Sequence, residues 1–273
     1  MSTEHYVLFG DATELSQVAD ESMDLVLSYP PFFNTYTSVK RPLWGLETCT
    51  DYDEYLRLLF KSLDECKRLT KPDRFIILLL HTGGSTDRPG YYPVVGDMQV
   101  RAREIGLVLH DVIYWSPTLG GAGRQAVVYQ YPYPGYYYSG GAVRTICVWK
   151  KWVKGTPLYS MVDREVLERH KLDHDYLVQY RGSHWYVRPE FKRDQDGPDT
   201  PPMKLSEALI RFYSFEGDWV FEPFSGSGRS IGIPSIRLGR NTFMVELCPN
   251  YRHYYESWCP KFVEGVPLFC RVG

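Results

Sequence analysis

The sequence predicts an α/β fold built on a mostly parallel sheet, and three observations carry that prediction. Short apolar runs alternate with helix-spaced amphipathic stretches along much of the chain, the rhythm of strands joined by crossover helices. One apolar run, Trp219 to Phe221, enters a glycine-punctuated loop, Glu222-Pro223-Phe224-Ser225-Gly226-Ser227-Gly228, ahead of a helix starting near Ser230. A second run, Phe243 to Leu247, carries one carboxylate, Glu246, about 20 residues past that loop. That is the spacing at which an acid on the next strand accepts hydrogen bonds from a ribose.

Gly226 and Gly228 carry no Cβ, so the backbone turns tightly there and its N–H groups can come close to a ligand. Ligands of an open α/β sheet bind at the carboxyl ends of the strands, where this loop would lie. A lone Gly-x-Gly is also an ordinary tight turn; the acid downstream is what distinguishes the two. Glu222 at the mouth of the loop would repel an anion. The pattern therefore favours a nucleoside-like ligand with a cationic or neutral centre, and S-adenosylmethionine is the natural candidate.

Taken in order, Tyr6 to Phe9 reads as a strand stopped by Gly10-Asp11, followed by a turn or helix with Leu15 and Val18 on its inner side. Met23 to Leu27 is a nearly continuous apolar strand of the doubly buried parallel type. It runs into Ser28-Tyr29-Pro30-Pro31-Phe32, where two prolines remove ladder donors and stiffen the loop. Asp53 to Leu69 has a helical stripe ended by Lys71-Pro72, and Phe75 to Leu80 is a strongly apolar strand. His81 to Pro93 is loop, Val94 to Ile105 a helix, and Val108 to Trp115 a strand. Residues 117–200 break the rhythm with a segment dense in Tyr, Pro and Gly. Within it Thr145 to Trp149 reads as a strand returning to the main sheet, and Val162 to Lys171 as a short helix. Lys204 to Tyr213 is a helix leading to the glycine loop, and Tyr251 to Trp258 a helix on the sheet edge. The organisation expected is residues 1–116 and 201–273 as two parts of one domain, with 117–200 inserted between them.

With 273 residues, 44% of them hydrophobic, the chain has ample material for one large α/β core. A formal net charge of −2 excludes an overall basic footprint, so any contact with nucleic acid must be local. Lys150, Lys151 and Lys154 form one basic cluster, and Arg188, Lys192 and Arg193 another. Interleaved with so many tyrosines, such clusters suit a surface that stacks on bases and pairs with phosphates; an irregular tyrosine-stabilised loop is the plainer alternative. The six cysteines stand singly, without metal-ligand spacing, so no metal is expected. With no leader pattern and no run of the ~20 apolar residues that a membrane span needs, an intracellular protein without a membrane partner is expected.

Together these stretches resemble the β group of DNA amino-methyltransferases, in which the catalytic motif precedes the cofactor motif. Gly10-Asp11, Asp24-Leu25-Val26-Leu27-Ser28-Tyr29-Pro30-Pro31-Phe32, the helix Tyr52 to Pro72, the helix Lys204 to Ile210, the glycine loop, and Arg237-Leu238-Gly239-Arg240 through Glu246 and Tyr251 are similar to that family's motifs, in its order. The resemblance covers nearly the whole chain. It implies a Rossmann-like S-adenosylmethionine-dependent methyltransferase fold, with a mostly parallel seven-stranded sheet and an inserted target-recognition region. It also implies double-stranded DNA as substrate, and leaves a homodimer and a cognate restriction endonuclease open as partners.

Carried over residue by residue, the resemblance gives Asp11, Lys204, Leu205, Glu222, Phe224, Gly226, Gly228 and Glu246 to the cofactor, and Ser28, Tyr29, Pro30, Pro31 and Phe32 to the base. Arg124, Arg144, Lys150, Lys151, Arg181 and Arg188 are the candidates for DNA contacts. In the family the exocyclic amine is held by the polar side chain before Pro-Pro and by the first proline's carbonyl. Here that side chain is Tyr29, where Asp, Asn or Ser is usual. The phenol could accept the amine proton, could turn away and leave Ser28 or water in its place, or its presence could weaken catalysis. Glu222 replaces an Asp, and Arg229-Ser230 a Thr-Thr pair. No cysteine follows a proline, which excludes C5-cytosine chemistry, and the motif order argues against protein-glutamine methylation. Phe32 after Pro-Pro and Trp44-Gly45-Leu46 lean towards cytosine N4 over adenine N6. A non-catalytic DNA-binding relative and an enzyme for RNA or another amine are the rival readings.

Overall fold

In a computed structural model, the alternation read from the sequence becomes one twisted sheet with helices on both faces. The structure describes residues 3–33, 45–81, 91–117, 133–134, 143–155, 162–188, 201–259 and 261–271. Nine strands are formed among them: β1 His5–Phe9, β2 Met23–Ser28, β3 Thr70–Leu80, β4 Val108–Ser116, β5 Arg144–Lys150, β6 His184–Tyr186, β7 Trp219–Glu222, β8 Asn241–Glu246 and β9 Val263–Glu264. Their order is β6-β4-β5-β3-β2-β7-β8-β1-β9. Every pairing is parallel except those of β5, which runs antiparallel between β3 and β4. The sheet is thus wider than the seven strands expected, through the short edge strands β6 and β9.

The helices are α1 Tyr52–Leu69, α2 Val94–Glu104, α3 Arg164–Arg169, α4 His174–Gln179, α5 Met203–Tyr213, α6 Arg229–Arg237 and α7 Arg252–Trp258. The Asp51 side chain caps α1 by accepting the Glu54 N–H at 2.8 Å. The short helix expected over Val162 to Lys171 is α3, started by its Asp163 cap, and a second short helix that the sequence reading did not include, α4, follows it from an Asp173 cap. The segment after β1 forms turns rather than a helix, yet Leu15 and Val18 are fully buried.

Side chains of successive strand residues point to opposite faces, and each face has its own core. Val26, Ile76, Leu78 and Phe221 join the α1 and α2 side, with Leu59, Leu63 and Met98. Leu25, Leu27, Ile77 and Val220 join the α5 and α6 side, with Leu205, Leu209 and Ile231. Burial on both faces is why β2 reads as an unbroken apolar run.

A polar clasp closes the amino edge. Buried Asp24 pairs with Lys71 at 2.8 Å and Arg74 at 3.4 Å, and accepts the Trp219 N–H at 3.0 Å. Arg74 also reaches Asp218 at 3.3 Å. These contacts join β2, β3 and β7 at one end and leave the carboxyl ends open to function. Among the described residues no helix is long and apolar enough to cross a membrane.

Candidate active site at the carboxyl edge of the sheet

The order of the sheet reverses between β2 and β7. From β7 the chain proceeds to β8 on one side, and from β2 to β3 on the other. That reversal opens a crevice beyond the carboxyl ends, where open α/β sheets bind ligands. Gly10-Asp11 after β1, Ser28-Tyr29-Pro30 after β2, His81 after β3, the glycine loop after β7 and Glu246 on β8 all lie at this edge, and antiparallel β5 begins there with Arg144.

Glycine is required twice in the loop, for different reasons. Gly228 caps α6 in the left-handed region, at φ +69°, and a Cβ there would lie 2.5 Å from Tyr255 Cε1 and 2.7 Å from Trp258 Cζ2. Gly226 also has a positive φ, +53°, but nothing lies within 4 Å of its Cβ position. One glycine accommodates the protein; the other leaves room above the backbone. The loop is gripped from α7. Tyr255 hydroxyl lies 2.7 Å from the Gly226 carbonyl and 2.6 Å from Ser225 Oγ, and Trp258 Nε1–H donates to the Ser227 carbonyl at 2.9 Å. Tyr255 and Trp258, one helical turn apart, were not among the expected site residues; only their amphipathic spacing was visible.

The two acids differ in environment. Glu246 accepts the Gly226 N–H at 2.7 Å through Oε2 and the Cys248 N–H at 2.8 Å through Oε1, so it shapes the loop. Glu222 is buried, and its Oε2 has no hydrogen-bond partner among the described residues. Burial, and then the negative Glu246, hold its carboxyl well above the usual range. A buried polar atom without a partner calls for one, and a cationic group is the partner a carboxylate suits best. Asp11 is exposed and its Oδ1 accepts the Thr13 N–H at 2.8 Å. Phe224 is half-buried, Leu205 is fully buried in α5, and Lys204 stands exposed on the first turn of that helix. Ser230 Oγ–H donates to the Pro201 carbonyl at 3.1 Å, tying the start of α6 to the segment before α5.

In the base motif, Tyr29 turns its hydroxyl to α5, 2.8 Å from Ser206 Oγ. Burial raises its pKa, Ser206 opposes that, and the Glu222 charge adds to it, so the phenol stays protonated. Ser28 is fully buried, with Oγ unpartnered among the described residues. The Tyr55 hydroxyl donates to the Pro31 carbonyl at 2.9 Å, and Phe33 packs on Tyr52, Tyr55 and Tyr92 with centroids 5.3, 5.2 and 4.8 Å away. These contacts anchor the loop on α1. Phe32 is bordered by the His81 ring at 5.2 Å and the Arg144 guanidinium at 5.5 Å.

The expected DNA contacts separate. Arg144 belongs to this edge. Lys150 and Lys151 do not: Lys150 ends β5 at the opposite edge, Lys151 follows it, and both are committed internally. Lys150 is buried, ion-paired with Asp73 at 2.8 Å and set over the Phe75 ring. Lys151 donates to the Thr70 carbonyl at 2.7 Å and pairs with Glu21 at 3.1 Å. Arg181 and Arg188 are exposed on either side of β6, and Arg124, Lys192, Arg193 and Trp44 lie outside the described residues. Among the described residues no group of His, Cys, Asp and Glu is arranged to hold a metal ion.

Over most of its length the chain is similar to two methyltransferases. It is 24% identical to the type II methyltransferase M.MthZI of Methanothermobacter thermautotrophicus, over 94% of this chain and 77% of that protein. It is 24% identical to the orphan methyltransferase M.BamHII of Bacillus amyloliquefaciens, over 86% of this chain and 87% of that one. In fold it is similar to a candidate DNA modification methylase of Thermus thermophilus, solved with S-adenosyl-L-methionine. There the TM-score is 0.72 at 24% identity, covering 97% of this chain and 99% of that one. The cytosine-N4-specific PvuII DNA methyltransferase superposes with a TM-score of 0.66 at 19% identity, over 93% and 86% of the two chains. The family model for N6/N4 DNA methylases matches residues 23–257. That match spans both motifs and the sheet joining them, and the chain belongs to the N6/N4 DNA methylase family.

Proposed function

We propose that this chain is an S-adenosylmethionine-dependent DNA methyltransferase acting on an exocyclic base amine, with cytosine N4 as the favoured atom. One observation carries the reading: the base motif and the cofactor loop leave neighbouring strands, β2 and β7, at the same edge. S-adenosylmethionine, when bound, supplies an electrophilic methyl on a sulfonium centre. Glu222 gives a cationic ligand a buried carboxylate, and open Gly226 lets the backbone approach it. Glu246 stands at the end of the next strand for the ribose. Asp11, Phe224, Lys204 and Leu205 complete the surround.

The amine is a poor nucleophile because its lone pair is delocalised into the ring. The Pro30 carbonyl would accept a hydrogen bond from one of its N–H groups and favour the pyramidal form. As the N–C bond forms, the methyl's bond to sulfur would break, leaving a neutral thioether, and the surplus amine proton would pass to water. We assign this role to Pro30 because the Tyr29 phenol is engaged with Ser206. Phe32 offers a stacking face to a base that must first be flipped out of the duplex. Holding the two reactants in line supplies most of the rate. Residues 117–200, with Arg124, Arg181 and Arg188, are assigned to the surrounding DNA. The cytosine preference is supported by the N4-like motif residues and by the N4-specific structural relative.

A second reading draws on the same phenol. If the amine needs a side-chain acceptor, Tyr29 turned to α5 withholds it, and the chain binds DNA without methylating it. The test is incubation with methyl-labelled S-adenosylmethionine and either duplex DNA or RNA, with cofactor binding followed by calorimetry. Label in duplex DNA supports the enzyme reading. Label in RNA alone, or cofactor binding with no transfer, rejects it.

A further inference from the structure

We propose that Arg144 is a specificity-determining residue that reads the edge of the flipped base and sets the preference for cytosine; this rests on the methyltransferase reading above. The placement comes from the sheet. Leu80 of β3 pairs with Thr145 of β5, so His81 and Arg144 stand side by side just past that pair. Arg144 pairs on its other side with Trp115 at the end of β4. Its guanidinium lies 5.5 Å from the centre of the Phe32 ring, and Phe32, only 6% exposed, also meets the His81 ring and packs into the core on the α5 side. An antiparallel β5 is what makes this possible, since it brings a strand start, rather than a strand end, to the edge where the base is held.

A base that stacks on Phe32 takes the place now covered by the guanidinium, so Arg144 must move to the rim of the base. With the amine held at Pro30, the ring edge beside the amine faces that rim. Arginine offers five N–H donors in a planar fork and no acceptor. Beside its amine cytosine presents two adjacent acceptors, N3 and O2, which a fork can engage together. Adenine presents N1 and then a C2–H, so one arm of the fork would go unmatched. A buried donor left unpaired is penalised more heavily than a made bond is rewarded. Arg144 is therefore matched to cytosine, and in the free protein its guanidinium covers the Phe32 ring.

The test compares wild type with Arg144→Met and Arg144→Lys on mixed genomic DNA. It follows methylated nucleosides by mass spectrometry, DNA affinity against salt concentration, calorimetric binding of S-adenosylmethionine, and thermal melting. The expected result is N4-methylcytosine from wild type and a loss of about tenfold to a hundredfold in kcat/KM for Arg144→Met, the worth of one bidentate base contact. Cofactor affinity and the salt slope of DNA binding stay unchanged. Arg144→Lys keeps the charge but loses the fork, so it also falls short of wild type while melting normally, which covers the case in which Arg144→Met is unstable. A salt slope reduced by about one in Arg144→Met, with Arg144→Lys keeping wild-type slope and transfer, would make Arg144 a phosphate contact and overturn the proposal. Wild-type product that is N6-methyladenine, or variants with undiminished transfer, overturn it as well. Wild type that binds the cofactor but labels no DNA rejects the methyltransferase reading itself, and the proposal with it.

Discussion

The Tyr29 hydroxyl lies 2.8 Å from Ser206 Oγ, joining the base motif at the end of β2 to the first turns of α5. The residue that precedes Pro-Pro is here part of a tether between β2 and α5. Ser206 is fully buried and Tyr29, partly buried, packs against the core on the α5 face, near the buried carboxyl of Glu222.

Replacing Tyr29 with Phe should therefore cost stability more than chemistry. The Ser206 hydroxyl would be left buried without its partner, a loss of roughly 1–3 kcal/mol, while methyl transfer should fall by less than about threefold if Pro30 holds the amine, far short of the 10²–10⁴-fold due to a true acid–base group. Urea unfolding and single-turnover transfer measure the two. Adding Ser206→Ala should recover part of the lost stability, because it removes the orphaned hydroxyl.

The two loop glycines should respond differently to alanine. Gly228→Ala adds left-handed strain and contacts at 2.5 and 2.7 Å with Tyr255 and Trp258, so its destabilisation should exceed the ~1–2 kcal/mol of the backbone term alone. Gly226→Ala has open space at Cβ, and should cost about that backbone term while sharply weakening S-adenosylmethionine binding. Thermal unfolding paired with calorimetry separates the two cases.

Glu222 makes stability and cofactor binding depend on pH in opposite senses. Its carboxyl titrates well above the ordinary glutamate value in the folded protein. The folded state therefore holds a proton that the unfolded state has already lost above about pH 4.3. Its contribution to stability is full below that pH and declines as pH rises through the raised folded pKa. Glu222→Gln should thus gain stability relative to wild type as pH increases across this window. A cationic ligand favours the ionised form, so wild-type affinity for S-adenosylmethionine should rise with pH over the same window, with proton release on binding. The glutamine variant should bind weakly and without that slope. Calorimetry in buffers of different ionisation enthalpy reads the released proton directly.

Lys150 should behave as a core residue. Breaking its buried pair with Asp73 by Lys150→Ala should destabilise the fold by about 3 kcal/mol or more. It should leave the salt slope of DNA binding unchanged, as measured by titration at several salt concentrations.

Much of the sheet was legible because parallel strands buried on both faces leave continuous apolar runs, as Met23 to Leu27 does. The glycine loop and Glu246 were legible through their spacing. The direction of β5 was not, since an apolar run such as Thr145 to Trp149 reads the same whichever way it pairs. Lys150 and Lys151 looked like a surface cluster because adjacent charges in sequence usually are one; the fold instead brings Asp73, Thr70 and Glu21 to meet them. The grip of Tyr255 and Trp258 on the glycine loop joins residues about thirty positions apart. Helical periodicity placed those side chains on an inner face, but it carried no information about the partner they would reach.

Methylation of an exocyclic amine of DNA by this chain is read most directly by nucleoside mass spectrometry of genomic DNA after incubation with the protein and methyl-labelled S-adenosylmethionine. The expected product is N4-methylcytosine carrying the label. Measurable cofactor binding with no labelled nucleoside would show that the chain is not a DNA methyltransferase.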